Sequence, residues 1–187
     1  MITSGNSSPD CCSGRDDGVQ ELLFLLTAAV LHELGHIFCA LVLRIPLAGL
    51  TFRPCGAVMT FDFSGTTYFR ELCVHLAGAG TGILTAGTAL RMFGEPAAYF
   101  AGVSIVLAVL NLLPIEGFDG GGALVCLCSM VCSPERTERI CRVTSRMVLL
   151  LLWAAVLWLE LRVQRGSALL LYVLYLMIFY TGIVHFG

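Results

Sequence analysis

The segment His32-Glu33-Leu34-Gly35-His36 places two imidazoles and a carboxylate where they could hold a metal ion and activate water. It matches the pattern H-E-x-x-H, and residues four apart on a helix share one face, with Cβ atoms about 6 Å apart. Two histidines at that spacing can bind one zinc ion, and the glutamate beside the first can act as a general base toward water. The spacing therefore predicts zinc-dependent hydrolysis of a peptide bond.

The same segment lies inside an apolar run that extends from about residue 19 to residue 43. An ionisable side chain within a membrane span costs roughly 3 kcal/mol or more, so three such groups without partners would oppose insertion. A bound metal ion supplies a partner for all three groups at once. The apolar context therefore favours a metal site over histidines that only form hydrogen bonds to nearby carbonyl groups.

The composition indicates a membrane protein. Of the 187 residues, 57% are hydrophobic and 13% are charged, and the mean hydropathy is +0.86. Soluble domains contain about 25% charged residues. The net charge of −2 gives no reason to expect a nucleic-acid partner. The nine cysteines show no paired C-x-x-C zinc motif, and a disulfide framework is not expected.

We predict an all-α polytopic membrane protein with about five membrane-spanning helices, since each span needs about 20 apolar residues. The candidates, with approximate bounds, are residues 19–43, 72–93, 97–131, 147–161 and 168–186. A continuous helix over the third candidate would be about 50 Å long, whereas the hydrocarbon core is about 30 Å thick. The segment Asn111–Gly122, which contains Pro114 and three consecutive glycines, predicts a break in this helix. Irregular backbone at that depth must be buried in protein or line a wet cavity, so the break is a candidate site.

Residues 46–65, between the first two helices, predict a short β-hairpin with strands near Leu50–Arg53 and Ala57–Phe63. The alternative for this segment is an amphipathic surface loop. If the hairpin forms, it lies at one end of the first two membrane helices.

The polar N-terminal residues 1–18 lack the apolar core of a signal peptide, and we predict a disordered tail there. Residues 19–187 are predicted to form a single membrane-embedded domain. Within it, residues 19–131 would form the catalytic core and residues 147–186 the C-terminal helices.

A catalytic zinc ion usually has three protein ligands, of which the first helix offers two. The candidates for the third are Asp119, Glu116, His75 and His185. We favour Asp119 because it lies in the break, where the backbone can bend toward another helix. It lies about 18 Å from one predicted membrane face, and His36 lies about 12 Å from the same face. The two could therefore meet, whereas His75 could pack against a neighbouring helix or form a hydrogen bond to a zinc ligand.

The two motifs HELGH and NLLPIEGFDGG resemble those of the site-2 protease family of intramembrane zinc metalloproteases. That family pairs H-E-x-x-H with an N-x-x-P-x-x-x-x-D-G type motif, which this chain matches at Asn111, Pro114, Asp119 and Gly120. The resemblance covers about residues 19–131.

The resemblance implies roles for five side chains. His32, His36 and Asp119 would bind Zn²⁺, and Glu33 would be the general base. Asn111 would lie near the site and contact the substrate or the developing oxyanion. The hairpin would hold an unwound substrate by strand addition.

Within the family, the chain is most similar to the bacterial sporulation subgroup, which cleaves a membrane-associated sigma-factor precursor. This likeness implies a multi-pass protein of the bacterial cell membrane that acts in regulated intramembrane proteolysis. Its partners would be the lipid bilayer, a regulatory membrane protein, and a membrane-associated or single-span substrate such as a pro-sigma or anti-sigma factor. The chain departs from the family in residues 78–82, where many members have Gly-Pro and an asparagine.

Two other functions fit parts of the sequence. A membrane metal-ion transporter could also place histidines in a broken helix. However, we identify only one constellation of acidic and histidine residues, with no second set to pass an ion along. A catalytically inactive scaffold is the other alternative, although all motif residues, including Glu33, are present.

Overall fold

The fold is a bundle of α-helices with one β-hairpin. The computed structural model describes residues 13–53 and 56–163. The elements follow in the order α1 (Ser13–Val42), β1 (Leu47–Arg53), β2 (Gly56–Phe61), α2 (Tyr68–Phe93), α3 (Ala98–Asn111), α4 (Asp119–Ser129) and α5 (Pro134–Val163). A 3₁₀ turn at Glu95–Ala97 joins α2 to α3. The predicted class, helical with a short hairpin after the first helix, is confirmed.

The chain is a membrane protein. Three stretches within the described helices are long and apolar enough to cross a membrane, namely Gly18–Val42, Tyr68–Phe93 and Pro134–Leu159. Large apolar side chains cover much of the outer surface, and Phe38 and Leu41 are 71% and 70% exposed. Such a surface suits lipid rather than water. The predicted fifth span, residues 168–186, lies outside the described residues.

Two predicted boundaries differ from the structure. Helix α1 begins at Ser13, so the end of the predicted disordered tail is helical, and residues 1–12 lie outside the described part. Helix α5 begins at Pro134 rather than near residue 147. Its first turns are charged, and Arg142 forms an exposed ion pair with Glu138 one turn earlier. Such pairs extend a helix beyond its apolar section, which a search for apolar runs does not detect.

The predicted break in the third apolar segment is confirmed. Helix α3 ends at Asn111 and α4 begins at Asp119. The buried hydroxyl of Ser145 on α5 donates to the Pro114 carbonyl (3.3 Å) and accepts from the Glu116 N–H (3.1 Å). Helix α5 thus satisfies two backbone groups that the break releases, which is the condition for irregular backbone at membrane depth.

The hairpin prediction is also confirmed. Strands β1 and β2 pair antiparallel from Leu47 opposite Phe61 to Arg53 opposite Gly56, with an irregularity between Leu47 and Gly49. The second strand ends at Phe61 rather than at Phe63. Each strand has one edge without a strand partner in the described part of the chain.

Small residues line the contacts between the helices. Helix α2 contacts α1, α3 and α4. The buried residues of α2, α3 and α4 include Gly78, Ala79, Gly82, Ala86, Ala101, Ala108 and Ala123. Small side chains let helix backbones approach closely, which is how helices associate in a membrane. Gly78 lets α2 approach the histidines of α1 closely.

Candidate metal centre

Two separated parts of the chain bring three side chains together inside the bundle. His32 and His36 extend from one face of α1, and Asp119 is the first residue of α4. Oδ2 of Asp119 lies 2.9 Å from Nε2 of His32 and 3.1 Å from Nε2 of His36, and the two Nε2 atoms are 3.2 Å apart. Ligand atoms of a tetrahedral zinc ion, with bonds of about 2.0–2.1 Å, lie about 3.3 Å apart. We call this group the triad; its spacing fits a zinc ion.

The hydrogen bond of His36 to α2 sets the direction of its free lone pair. Nδ1 of His36 lies 2.7 Å from the Val74 carbonyl oxygen. A carbonyl oxygen only accepts, so Nδ1 carries the proton and Nε2 of the neutral ring has a lone pair. When the ring is neutral, that lone pair points toward the Asp119 carboxylate oxygen, 3.1 Å away, and the two repel each other. A cation among the three atoms would convert this repulsion into attraction, and hydrogen bonding of the second ring nitrogen is typical of histidine ligands.

Helix α2 closes one side of the triad through a glycine. A Cβ atom built on Gly78 would meet Nε2 of His36 and lie 2.7 Å from Nε2 of His32. Only a residue without a side chain permits this approach. The sequence alone did not indicate that Gly78 faces the triad.

The other predicted site residues have different surroundings. Glu33 is half-buried on α1 beside His32. Asn111 is the last residue of α3, and its side-chain amide donates to the Leu107 carbonyl (3.0 Å). The predicted roles of Glu33 as general base and of Asn111 toward the substrate or oxyanion stay predictions.

The alternative third ligands lie outside the triad or outside the described residues. Glu116 is exposed in the break. His75 packs against the Phe63 ring, with ring centroids 5.9 Å apart, and lies against Gly122 of α4. This agrees with packing between helices, one of its two predicted roles. His185 falls among the residues that are not described.

A second group of metal-ligating side chains was missed in the sequence. Glu71 and His75 of α2 meet Cys126 of α4, with one ligand atom of each within 4.8 Å of the others. The expectation of a single acidic–histidine constellation is therefore wrong. The spacing of Glu71 and His75, four residues apart on a helix, was the signal that could have indicated it.

The base of the hairpin packs beside the triad. Phe61 and Phe63 contact a small buried cluster of Ala40, Ile45 and Val74. Val74 is also the residue whose carbonyl oxygen holds His36. The same short section of α2 thus positions both the hairpin and one of the triad histidines.

Comparison with known proteins gives a family match and a similar solved structure. The model of Peptidase family M50 matches residues 87–155, a segment that contains Asn111 and Asp119 but not the HELGH motif. Among solved structures, the site-2 protease from Methanocaldococcus jannaschii superposes with a TM-score of 0.60 and 23% sequence identity. The match covers 82% of this chain and 72% of that one. The chain shares the fold of that protease. No curated protein matches it.

Proposed function

We propose that the protein is an intramembrane zinc endopeptidase. The observation that carries this proposal is the triad, in which two helices separated by more than eighty positions bring three ligand atoms within 3.2 Å of one another. The partial family match and the shared fold support it. The substrate class we propose is a single-span or membrane-associated protein, of which a regulatory precursor such as a pro-sigma or anti-sigma factor is one kind.

In this proposal His32, His36 and Asp119 hold the zinc ion. The donor set of two imidazoles and one carboxylate is one that catalytic zinc uses, and it leaves a position for water or substrate. When bound, zinc lowers the pKa of water to near 7 and polarises a carbonyl oxygen. The charge of the ion also offsets the free energy needed to keep Asp119 ionised inside the membrane.

Glu33 accepts the proton of the attacking water and passes it to the amine of the leaving peptide. Its position next to His32 on α1 places it one residue from a ligand, as in the H-E-x-x-H arrangement. Asn111 stands at the end of α3, where the helix breaks, and its amide can turn from the Leu107 carbonyl toward a developing oxyanion.

The hairpin supplies a means of presenting the substrate. A peptide bond in a helix must be exposed before water can attack it, and an extended substrate can pair with an unpaired strand edge. Both strands have such an edge in the described residues, and the hairpin base packs beside Val74. A substrate strand there would lie at the hairpin end of α1 and α2. Access would be the step that a regulatory membrane partner controls.

The proposal is tested with Glu33→Gln. This variant keeps the shape of the side chain but removes its capacity to accept a proton, so zinc content should be unchanged while cleavage of a co-expressed single-span substrate stops. Glu116→Gln, in the exposed part of the break, is the matched control and should cleave as the wild type does. Full activity of Glu33→Gln would contradict the assignment.

Metal transport is a second candidate, because the structure has a second acidic–histidine group, on the same helix interface as the triad. A transporter would move zinc across a sealed vesicle, whereas a peptidase would not. Proteoliposomes loaded with a zinc-sensitive dye distinguish the two functions. We expect no zinc flux above that of protein-free vesicles.

A further inference from the structure

Three metal-ligating side chains meet at a second place in the bundle, between the first turns of α2 and the second half of α4. They are Glu71, His75 and Cys126. Nε2 of His75 lies 4.0 Å from Oε1 of Glu71. Cys126 is fully buried, with 0% of its surface exposed, and the other two side chains are only 22% and 24% exposed. This group is therefore held inside the protein rather than on its surface.

The group lies beside the triad and shares no residue with it. Helices α2 and α4 run in opposite directions where they meet. Gly78 of α2 lies at the triad, where α4 begins with Asp119, whereas His75, one turn earlier on α2, lies against Gly122, one turn later on α4. A Cβ atom on Gly122 would lie 2.6 Å from Nδ1 of His75. Cys126 follows Asp119 by two helical turns, or about 10 Å. The two groups are thus successive levels of one helix interface, and the second is nearer the hairpin end.

The chemistry of the three side chains indicates which ion would bind. A thiolate and an imidazole favour zinc and similar transition metals, whereas magnesium and calcium favour oxygen ligands. Ligand atoms of a tetrahedral zinc site with one sulfur lie about 3.3–3.8 Å apart. The three ligand atoms now lie within 4.8 Å of one another, so they must move about 1 Å closer together to hold zinc. Rotation of the Glu71 side chain can supply this movement.

We propose that Glu71, His75 and Cys126 form a second zinc-binding site. The thiol of Cys126 releases its proton to solvent when zinc binds, so that a thiolate, an imidazole and a carboxylate hold the ion. The competing arrangement is a metal-free one, in which the Cys126 thiol forms a hydrogen bond with Glu71. The proposal does not depend on peptidase activity, because it concerns only the affinity of these three residues for an ion.

Cobalt distinguishes the two groups because only the second contains sulfur. The full chain, purified in detergent, reduced and stripped with a chelator, is titrated with Co²⁺. A thiolate ligand gives an intense near-ultraviolet sulfur-to-cobalt charge-transfer absorption, which the triad cannot produce. We expect this absorption in the wild type, with two equivalents of cobalt bound at saturation. Addition of zinc should abolish it by displacing the cobalt.

Three variants test which residues produce the charge-transfer absorption. Cys126→Ser should lose the absorption and one equivalent of cobalt. Cys128→Ser, a half-buried cysteine two positions along the same helix, should keep both. Asp119→Asn should keep the absorption while the other equivalent is lost. A wild type without the absorption, or its persistence in Cys126→Ser, would overturn the proposal.

Glu71→Gln is a second variant that tests the same site if Cys126→Ser does not fold. This variant leaves the buried thiol in place but removes the negative charge of one ligand. The cobalt concentration that gives half of the charge-transfer absorption should rise about tenfold or more. An unchanged titration would show that Glu71 is not a ligand and would contradict the site.

Discussion

Nδ1 of His36 on α1 lies 2.7 Å from the backbone carbonyl oxygen of Val74 on α2. This contact fixes the proton on Nδ1 and directs the Nε2 lone pair toward Asp119. It joins two helices that the hairpin also connects, and Val74 is buried against Ala40 and Ile45. The orientation of a triad side chain is therefore set by a backbone atom whose position depends on packing between the helices.

Removing one triad side chain should remove one zinc ion. His36→Ala and Asp119→Ala each leave two donors, which no longer enclose the ion, so each variant should lose one equivalent of zinc per chain. Metal content measured by mass spectrometry on the purified protein gives the result. Glu116→Ala is the control, because this carboxylate lies outside the triad, and its zinc content should equal that of the wild type. Unchanged zinc in Asp119→Ala would instead favour Glu116 or His75 as the third ligand.

Gly78→Ala should abolish zinc binding at the triad without changing any donor. The added Cβ would meet both histidine rings, so the rings or α2 must move and the three donors separate. Gly80→Ala on the same helix is the matched control, since a Cβ there meets nothing within 4 Å. Zinc content of the two variants, compared at equal expression, gives the answer. Equal zinc in both would mean that the rings can shift at little cost.

Much of the fold followed from the sequence because lipid imposes simple rules. Apolar length predicted α1 and α2, and proline and glycine in an overlong apolar run predicted the break between Asn111 and Asp119. The H-E-x-x-H spacing placed two donors on one helix face, and the depth of each segment indicated that Asp119 could reach them.

Contacts between separate helices could not be derived in this way. The hydrogen bond of Ser145 to the break, the approach of Gly78 to the histidines and the meeting of Glu71 with Cys126 depend on how the helices rotate about their axes. Small residues permit many such rotations. The predicted start of α5 was wrong because charged residues extend this helix beyond the apolar section on which the prediction was based.

Ser145→Ala should destabilise the protein by about 1–3 kcal/mol, because it removes two hydrogen bonds to the backbone of the break, each of which contributes about 0.5–1.5 kcal/mol. The loosened break should also displace Asp119 and lower zinc affinity. Thermal unfolding in detergent, with and without zinc, measures both effects. Ser104→Ala is the control: Ser104 is equally buried, but its hydroxyl donates only to the Phe100 carbonyl of its own helix. If both variants lost the same stability, the hydroxyl of Ser145 would have no special role in holding the break.

Removal of zinc should lower the thermal stability of the wild type, because the ion joins α1 to the start of α4. A ligand that binds only the folded state stabilises it by about 2.7 kcal/mol at a hundred times its Kd. Part of the shift in melting temperature between chelator and excess zinc should therefore disappear in Asp119→Asn, which weakens the triad. Glu33→Gln should retain the whole shift, because it leaves all three triad donors in place. A full shift in Asp119→Asn would assign the stabilisation to ions bound elsewhere, whereas a lost shift in Glu33→Gln would make Glu33 a ligand rather than a base.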